Sequence, residues 1–271
     1  MSENRQKQLQ AQRMIEEALR QVGLNGEDVV LVHSDATPAM VLADFEWWDD
    51  ALSLLKQCFL NVLGAKGTLV VPTFNYDFCR GKPYSHEKSL SQVGLFANEV
   101  LLDKRSVRSF HPIFSFAAIG PLAKEICDNV PPTSFGTGSV FHRLHQMNAK
   151  LVFFNVSFEF CTFIHYVEQR IGIDYRYMKH FKGKVSRNGM TTEGTFDYYV
   201  RYLDRDVDTH LTPLGNDLLS VGKMGKTFLA EAYPISQVRC DDVYRLAIEK
   251  VKTNPHYLLR HPPVLPQEIR R

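Results

Sequence analysis

The sequence lacks the features typical of nucleic-acid-binding, membrane and secreted proteins. Lys plus Arg number 32 and Asp plus Glu number 30, so the sequence lacks the positive field that general nucleic-acid binding needs. No apolar run is long enough to cross a bilayer, and the polar segment after Met1 is unlike a signal peptide. We therefore expect a soluble, cytoplasmic protein.

Cysteine is also scarce, and its placement argues against two kinds of cross-link. The five cysteines are Cys58, Cys79, Cys127, Cys161 and Cys240. Their number is odd, their spacings are wide and no Cys-x-x-Cys occurs, which disfavours both a disulfide framework and a structural zinc site. No His-Glu-x-x-His motif occurs either, so the sequence predicts no bound metal.

The chain does contain a regular alternation of strands and helices up to about residue 170. Continuous apolar runs predict strands at 29–33, 67–74, 113–120 and 150–157, and helical periodicity predicts helices at 4–23, 46–62, 92–102 and 122–130. This order predicts an α/β fold with a mostly parallel central sheet and helices on both faces. Ligands in such folds bind where the strands run out into loops.

The pattern changes near residue 175. An Arg-Asn-Gly turn lies between two alternating runs within 183–206 and predicts a β-hairpin. A second pair of strands at 220–239, a helix at 241–253 and an extended tail at 261–271 follow. Because no linker-like stretch separates the parts, we expect one domain over 1–271. Within it, 1–174 is the α/β part and 175–271 is a hairpin-rich subdomain packed on it.

The segment CTFIHYVEQR, residues 161–170, contains a candidate catalytic pair. His165 and Glu168 are three residues apart and share one face of a predicted helix. A carboxylate in this position can fix the imidazole tautomer and support a general base. Thr162 is predicted to cap the helix, which places His165 in the first turn, where the helix dipole disfavours an imidazolium ion. A surface pair without function would show the same spacing.

Three further segments favour ligand binding at strand ends. Residues 108–120, RSFHPIFSFAAIG, offer Arg108, His111 and then small side chains that let a thin cofactor approach the backbone. Residues 133–144, TSFGTGSVFHRL, run through a glycine loop into a helix capped by Ser139, as anion sites do. Residues 72–84, PTFNYDFCRGKPY, form a polar, aromatic and basic loop that suits a small polar ligand. Each segment is also compatible with ordinary packing or a solvated loop.

Taken together, these segments resemble the aminoglycoside 3-N-acetyltransferase family, also called the antibiotic N-acetyltransferase family. The matching motifs are VHSD at 32–35, GTLVVPTF at 67–74, QVGLFANEVL at 92–101, RSFHPIFSFAAIG at 108–120, FGTGSVFHRL at 135–144 and TFIHYVE at 162–168. They occur in order and cover most of residues 30–170. The resemblance implies a three-layer α/β/α fold and direct transfer of an acyl group, by default acetyl, from acyl-CoA to an amine of an amino sugar.

The resemblance also implies roles for individual residues. It makes His165 and Glu168 the catalytic pair. With the residues singled out above, the predicted coenzyme A site comprises His33, Ser34, Arg108, His111, Ser115, Phe116, Ala117, Gly136 and Ser139. The predicted substrate contacts are Asn75, Tyr76, Asp77, Arg80, Lys82, Thr162 and Arg176.

The identity of the amine is predicted from charge. Arg80, Lys82 and the basic, aromatic run RYMKHFKG at 176–183 resemble family members from polysaccharide pathways, which acylate nucleotide-linked amino sugars. Because such substrates are anionic, Arg and Lys near the site would help, so we expect a substrate of this class, such as a dTDP-linked amino-deoxy sugar. The alternative is an aminoglycoside, which would make the protein a resistance enzyme.

The sequence also allows a different mechanism, a non-catalytic function and more than one oligomeric state. Cys161 lies near His165 and could act as a nucleophile in a thiol-based transfer. A protein that binds coenzyme A or a nucleotide sugar without catalysis is the second alternative. A homo-oligomer is the commoner state for an enzyme of this size.

Overall fold

The computed structural model describes residues 3–264, so most of the predicted tail at 261–271 lies outside the described residues. The helices are α1 Glu3–Gln21, α2 Thr37–Leu42, α3 Trp48–Leu63, α4 Leu95–Leu101, α5 Ala123–Cys127, α6 Val140–Gln146, α7 Ile164–Ile171, α8 Thr212–Ser220 and α9 Cys240–Thr253. The strands are β1 Val29–Ser34, β2 Thr68–Pro72, β3 Tyr84–Ser85, β4 Val107–Arg108, β5 Phe116–Ile119, β6 Lys150–Phe154, β7 Arg176–Arg187, β8 Met190–Arg201, β9 Met224–Leu229 and β10 Tyr233–Arg239. None of the described helices is both long and apolar enough to cross a membrane.

Seven strands of the described chain form the central sheet, in the order β4-β5-β2-β1-β6-β10-β9. Only the β2-β1 and β1-β6 pairs are parallel, and the other four neighbouring pairs are antiparallel. The prediction of a mostly parallel sheet is therefore wrong. A run of buried apolar residues does not reveal strand direction, whereas the short turn between β9 and β10 makes that pair antiparallel.

Two apolar cores pack against opposite faces of the sheet. Side chains alternate along β1, so Val30 and Val32 join one core while Val29 and Leu31 join the other. Helix α3 buries side chains such as Leu55 at helical spacing in the first core. The structure is thus a mixed α/β fold with a large central sheet and helical layers against it.

The hairpin predicted within 183–206 is present and longer than the turn pattern indicated. Strands β7 and β8 pair in antiparallel register from Arg176↔Arg201 to Arg187↔Met190, and β3 pairs with β7 to complete a second, three-stranded sheet. Asn188 and Gly189 both have positive φ, 53° and 76°, which the tight turn requires. The first residue of β7, Arg176, lies directly beside α7 through its contact with Glu168.

Candidate functional site

Helix α7 carries the histidine and glutamate, and it begins without the predicted cap. The helix starts at Ile164 with Phe163 at the N-cap position, and no side chain caps it. The prediction that Thr162 caps α7 is therefore wrong: its hydroxyl lies 2.9 Å from Nε2 of His33 instead. His165 is nevertheless in the first turn, as predicted.

The carboxylate of Glu168 is fully buried and is the centre of a polar cluster. Its Oε2 lies 2.8 Å from Nδ1 of His165 and 2.8 Å from Nε of Arg176, and its Oε1 accepts a 3.1 Å hydrogen bond from the Tyr175 hydroxyl. Burial alone would raise the pKa of the carboxyl, but Arg176, His165 and Tyr175 outweigh burial, and the pKa lies below its ordinary value. Glu168 is therefore an anion whose charge Arg176 compensates.

The imidazole of His165 is held in its neutral form by the same surroundings. Burial is the largest cause that lowers its pKa, and the positive charge of Arg176 lowers it further, while Glu168 opposes both. Since Nδ1 faces the carboxylate, Nε2 is the nitrogen left for exchange with a substrate. A neutral imidazole oriented by a buried carboxylate is the arrangement that a general base needs.

Two cavities adjoin at the segment just before α7, and one of them reaches this cluster. The first, called here the base cavity, has a volume of about 440 Å³, and the second, called the apolar cavity, has about 300 Å³. The base cavity is lined by Glu159, Phe160, Cys161, Thr162, Ile164, His165, Arg176, Tyr198, Arg201, Thr209 and Leu211. The apolar cavity is lined by Val32, His33, Ser34, Val71, Pro72, Phe74, Tyr76, Val93, Gly94, Phe96, Ala97, Val156, Phe160 and Thr162. Phe160 and Thr162 belong to both walls.

Only some of the residues predicted to bind coenzyme A line one of the two cavities. His33 and Ser34, at the end of β1, line the apolar cavity. Arg108 is buried elsewhere: its guanidinium donates to Ser115 Oγ at 3.2 and 3.3 Å and to two backbone carbonyls. Neither Arg108 nor Ser115 lines either cavity in the described part of the chain.

The remaining members of that set have local structural partners. Phe116 and Ala117 are buried in β5, and Nδ1 of His111 accepts a 2.9 Å hydrogen bond from a backbone amide. The Gly136 amide donates to a nearby threonine hydroxyl. Ser139 does cap α6, as predicted, because its hydroxyl accepts from an amide of the first turn. Within residues 3–264, none of these side chains lines the two cavities.

Of the predicted substrate contacts, too, only some line one of the two cavities. Thr162 and Arg176 line the base cavity and Tyr76 lines the apolar cavity. Asn75 is buried and donates to the Leu90 carbonyl. The other three form a separate surface group, in which the Asp77 carboxylate lies 3.5 Å from Arg80 and 3.2 Å from Lys82.

Four residues of the site were not predicted from the sequence: Glu159, Tyr175, Tyr198 and Arg201. Tyr175 donates to Glu168, while Tyr198 and Arg201 reach the base cavity from β8. Glu159 accepts from two backbone amides at the start of α8. No local motif marks them. Tyr175 directly precedes β7, and Tyr198 and Arg201 lie on β8, so these three come close to α7 only in the folded chain.

The Cys161 thiol is unsuited to the thiol-based mechanism. It is 2% exposed, and burial raises its pKa to about 12, so the thiolate that would attack an acyl donor is not formed near neutral pH. Among residues 3–264, no three side chains of His, Cys, Asp or Glu converge in the way a metal site requires.

The chain is similar to several known acetyltransferases. It is 24% identical over 251 residues to aminoglycoside N(3)-acetyltransferase IX of Micromonospora chalcea, a match that covers 81% of this chain and 86% of that protein. Its fold matches the crystal structure of aminoglycoside acetyltransferase AAC(3)-Xa with a TM-score of 0.77, at 18% identity, over 92% and 94% of the two chains. It also matches AAC-IIIb solved in a binary complex with CoASH, with a TM-score of 0.75 at 15% identity, over 89% and 96%.

These comparisons overturn the expectation of a nucleotide-linked amino sugar. A family model for aminoglycoside 3-N-acetyltransferase matches the chain, and the curated relatives are aminoglycoside acetyltransferases. Three of the basic residues on which that expectation rested have an acidic partner within the protein: Arg176 pairs with Glu168, and Arg80 and Lys82 pair with Asp77. The charges of these three are therefore not evidence for a phosphate-bearing substrate.

One family model matches most of the chain. The model for aminoglycoside 3-N-acetyltransferase spans residues 31–252, which include both cavities and the cluster around Glu168. The match confirms the resemblance that the motifs indicated and the prediction of an acyl-CoA-dependent N-acyltransferase with acetyl-CoA as donor. The chain belongs to the aminoglycoside 3-N-acetyltransferase family.

Proposed function

We propose that the protein acetylates the 3-amine of an aminoglycoside antibiotic with acetyl-CoA and so confers resistance. The observation that carries the proposal is the neutral His165, oriented by the fully buried Glu168, at the wall of a cavity of about 440 Å³. Family membership and the aminoglycoside acetyltransferases among its relatives supply the substrate class.

The two cavities fit the two substrates of this reaction. The apolar cavity suits the thin arm of coenzyme A, because its walls are mostly apolar and Ser34, at the end of β1, is one of its few polar residues. The base cavity, which contains His165, then receives the amino sugar. The thioester carbon and the amine would meet beside Phe160 and Thr162, which both cavities share.

The chemistry follows from the position of His165. Nε2 of the imidazole removes a proton from the amine as its nitrogen attacks the thioester carbonyl, and Glu168 stabilises the imidazolium ion that forms. This attack forms the C–N bond, and the carbonyl is then restored as the C–S bond breaks. The departing thiolate takes its proton from the imidazolium, which returns His165 to its neutral state. No covalent enzyme intermediate is required.

Each half of the chain contributes to the proposed site. The α/β part, residues 1–174, contributes the apolar cavity together with His165 and Glu168. The following part, 175–271, adds Arg176 and the β8 side chains that face the base cavity. We therefore treat residues 1–271 as one functional domain.

Thiol release from acetyl-CoA tests the proposed function directly. With purified protein, we expect free thiol to appear when gentamicin or kanamycin is added, and not in its absence. Mass spectrometry should show one added acetyl group, and NMR should place it on the 3-amine. Failure of every aminoglycoside in a broad panel to release thiol would refute the proposal.

The pH dependence should reflect the depressed pKa of His165. Only the neutral imidazole acts as a base, so kcat is lost as pH falls through the pKa of His165, which lies below the ordinary 6.5 because of burial and Arg176. We therefore expect the acid limb of kcat to have its midpoint below 6.5. An NMR titration of the His165 ring in the substrate-free protein should also give a midpoint below 6.5. A ring midpoint at or above 6.5 would contradict this assignment.

A further inference from the structure

His33 and Thr162 form a buried contact next to the proposed base. His33 is on β1 and Thr162 lies just before α7, and Nε2 of His33 lies 2.9 Å from the Thr162 hydroxyl oxygen. The ring of His33 stacks on Phe153, with centroids 5.3 Å apart and planes within 12°. The imidazole is thus held in one orientation, with Nε2 directed at Thr162.

The backbone around Thr162 determines which nitrogen of His33 carries the proton. The Thr162 amide N–H also points at Nε2, at 3.5 Å, and an amide N–H can only donate. This contact favours Nε2 as the bare, accepting nitrogen, with the ring proton on Nδ1. Nδ1 is buried without a hydrogen bond of good geometry to the described residues, and the Val152 carbonyl is the acceptor beside the ring.

This tautomer determines the direction of the contact with the Thr162 hydroxyl. If Nε2 is bare, the hydroxyl must donate its hydrogen to His33, and its oxygen keeps only accepting lone pairs. Thr162 itself stands at the junction of the apolar and base cavities, since it lines both. The Thr162 carbonyl accepts from the His165 amide at 3.2 Å, so Thr162 and the proposed base are held in one turn of the backbone.

Burial keeps this arrangement in place over the working range of pH. The pKa of His33 is lowered to about 4, with burial as the largest cause. A neutral imidazole can accept a hydrogen bond through Nε2, whereas a protonated one cannot. The acceptor character of the hydroxyl should therefore persist wherever the enzyme is active.

We propose that His33 is a positioning residue, which holds the Thr162 hydroxyl as an acceptor for the N–H of the substrate amine. The inference rests on the proposed function, in which a neutral amine must present its lone pair to the thioester carbon. His165 takes one N–H proton of that amine, and Thr162 would hold the other N–H. With both N–H bonds held, the lone pair points at the carbonyl.

The first test reads the tautomer without any activity measurement. In protein labelled with ¹⁵N-histidine, the His33 signals are assigned from the spectrum of a His33→Gln variant. We expect a protonated Nδ1 and a bare Nε2 between about pH 5 and about pH 8, since the ring stays neutral there. A proton on Nε2 would overturn the proposal, because the hydroxyl would then accept from His33 and its hydrogen would be free.

The second test is kinetic and uses a double-mutant cycle. Thr162→Val and His33→Phe each remove one partner while keeping size, and each is expected to lower kcat by about 3- to 10-fold, the worth of one neutral hydrogen bond. Because His33 acts through Thr162, the double variant should lose no more than Thr162→Val alone. Thr162→Ser and His33→Gln, which keep a hydroxyl and an acceptor, should recover most of the loss.

The KM for acetyl-CoA shows whether His33 positions Thr162 or only shapes the wall of the apolar cavity. If His33 positions Thr162, this KM stays constant in His33→Phe while kcat falls. A raised KM for acetyl-CoA, or additive losses in the cycle, would overturn the proposal. Absence of thiol release by the wild type would instead be a failure of the proposed function, and the tautomer measurement would still decide how His33 and Thr162 interact.

Discussion

Replacement of His165 by alanine is expected to lower kcat by about 10²–10⁴-fold, the range that general-base catalysis contributes. The imidazole is the group in the base cavity that is both neutral and directed by a buried carboxylate. Without it, water must remove the proton from the amine. Steady-state thiol release at saturating acetyl-CoA measures the effect, and the unfolding temperature of the variant shows whether the fold is retained.

A second histidine–carboxylate pair provides a matched control for this variant. His180 and Asp197 lie on the hairpin, where the histidine is exposed, with Nδ1 2.6 Å from Oδ1. Because this pair lines neither cavity, we expect His180→Ala to keep the wild-type kcat. A near-normal rate in His165→Ala, or an equal loss in both variants, would remove His165 from the role of base.

Replacement of Glu168 by glutamine is expected to lower the free energy of unfolding by about 3–5 kcal/mol, as breaking a buried ion pair from one side typically does. Size is not the cause, since an amide is nearly isosteric with a carboxylate. The variant instead leaves the charge of Arg176 buried without its partner, because that side chain is only 4% exposed and its Nε lies 2.8 Å from Oε2 of Glu168. Urea unfolding followed by circular dichroism measures the change.

Two companion variants separate the buried charge from other causes. Adding Arg176→Met to Glu168→Gln removes the uncompensated charge, so we expect much of the lost stability to return while kcat stays low. The exposed pair Lys66–Glu27, with 77% and 71% of the side chains exposed, is the control, and Glu27→Gln should change stability by no more than about 1 kcal/mol. If Glu168→Gln lowered the free energy of unfolding as little as this control does, the folded protein would not need Glu168 to compensate the charge of Arg176.

The elements of the fold follow largely from local sequence. Helical spacing of apolar residues predicts α3 and α9 to within a few residues, and the Asn188-Gly189 turn predicts the β7–β8 hairpin. The direction of the strands did not follow from the sequence. A mostly parallel sheet was expected, but four neighbouring pairs in the central sheet are antiparallel and two are parallel. A strand that is buried on both faces has the same apolar composition whichever way it runs.

By itself, the sequence determined the family, the reaction class and the pairing of His165 with Glu168, because these depend on ordered motifs and on residues three apart on one helix. Only the tertiary structure decided what surrounds that pair. Arg176 reaches Glu168 from the start of the hairpin, and His33 reaches Thr162 from β1. Such contacts join residues on different elements, so no local spacing encodes them. The same folding buried the motif at 108–120 away from both cavities, which its sequence did not reveal.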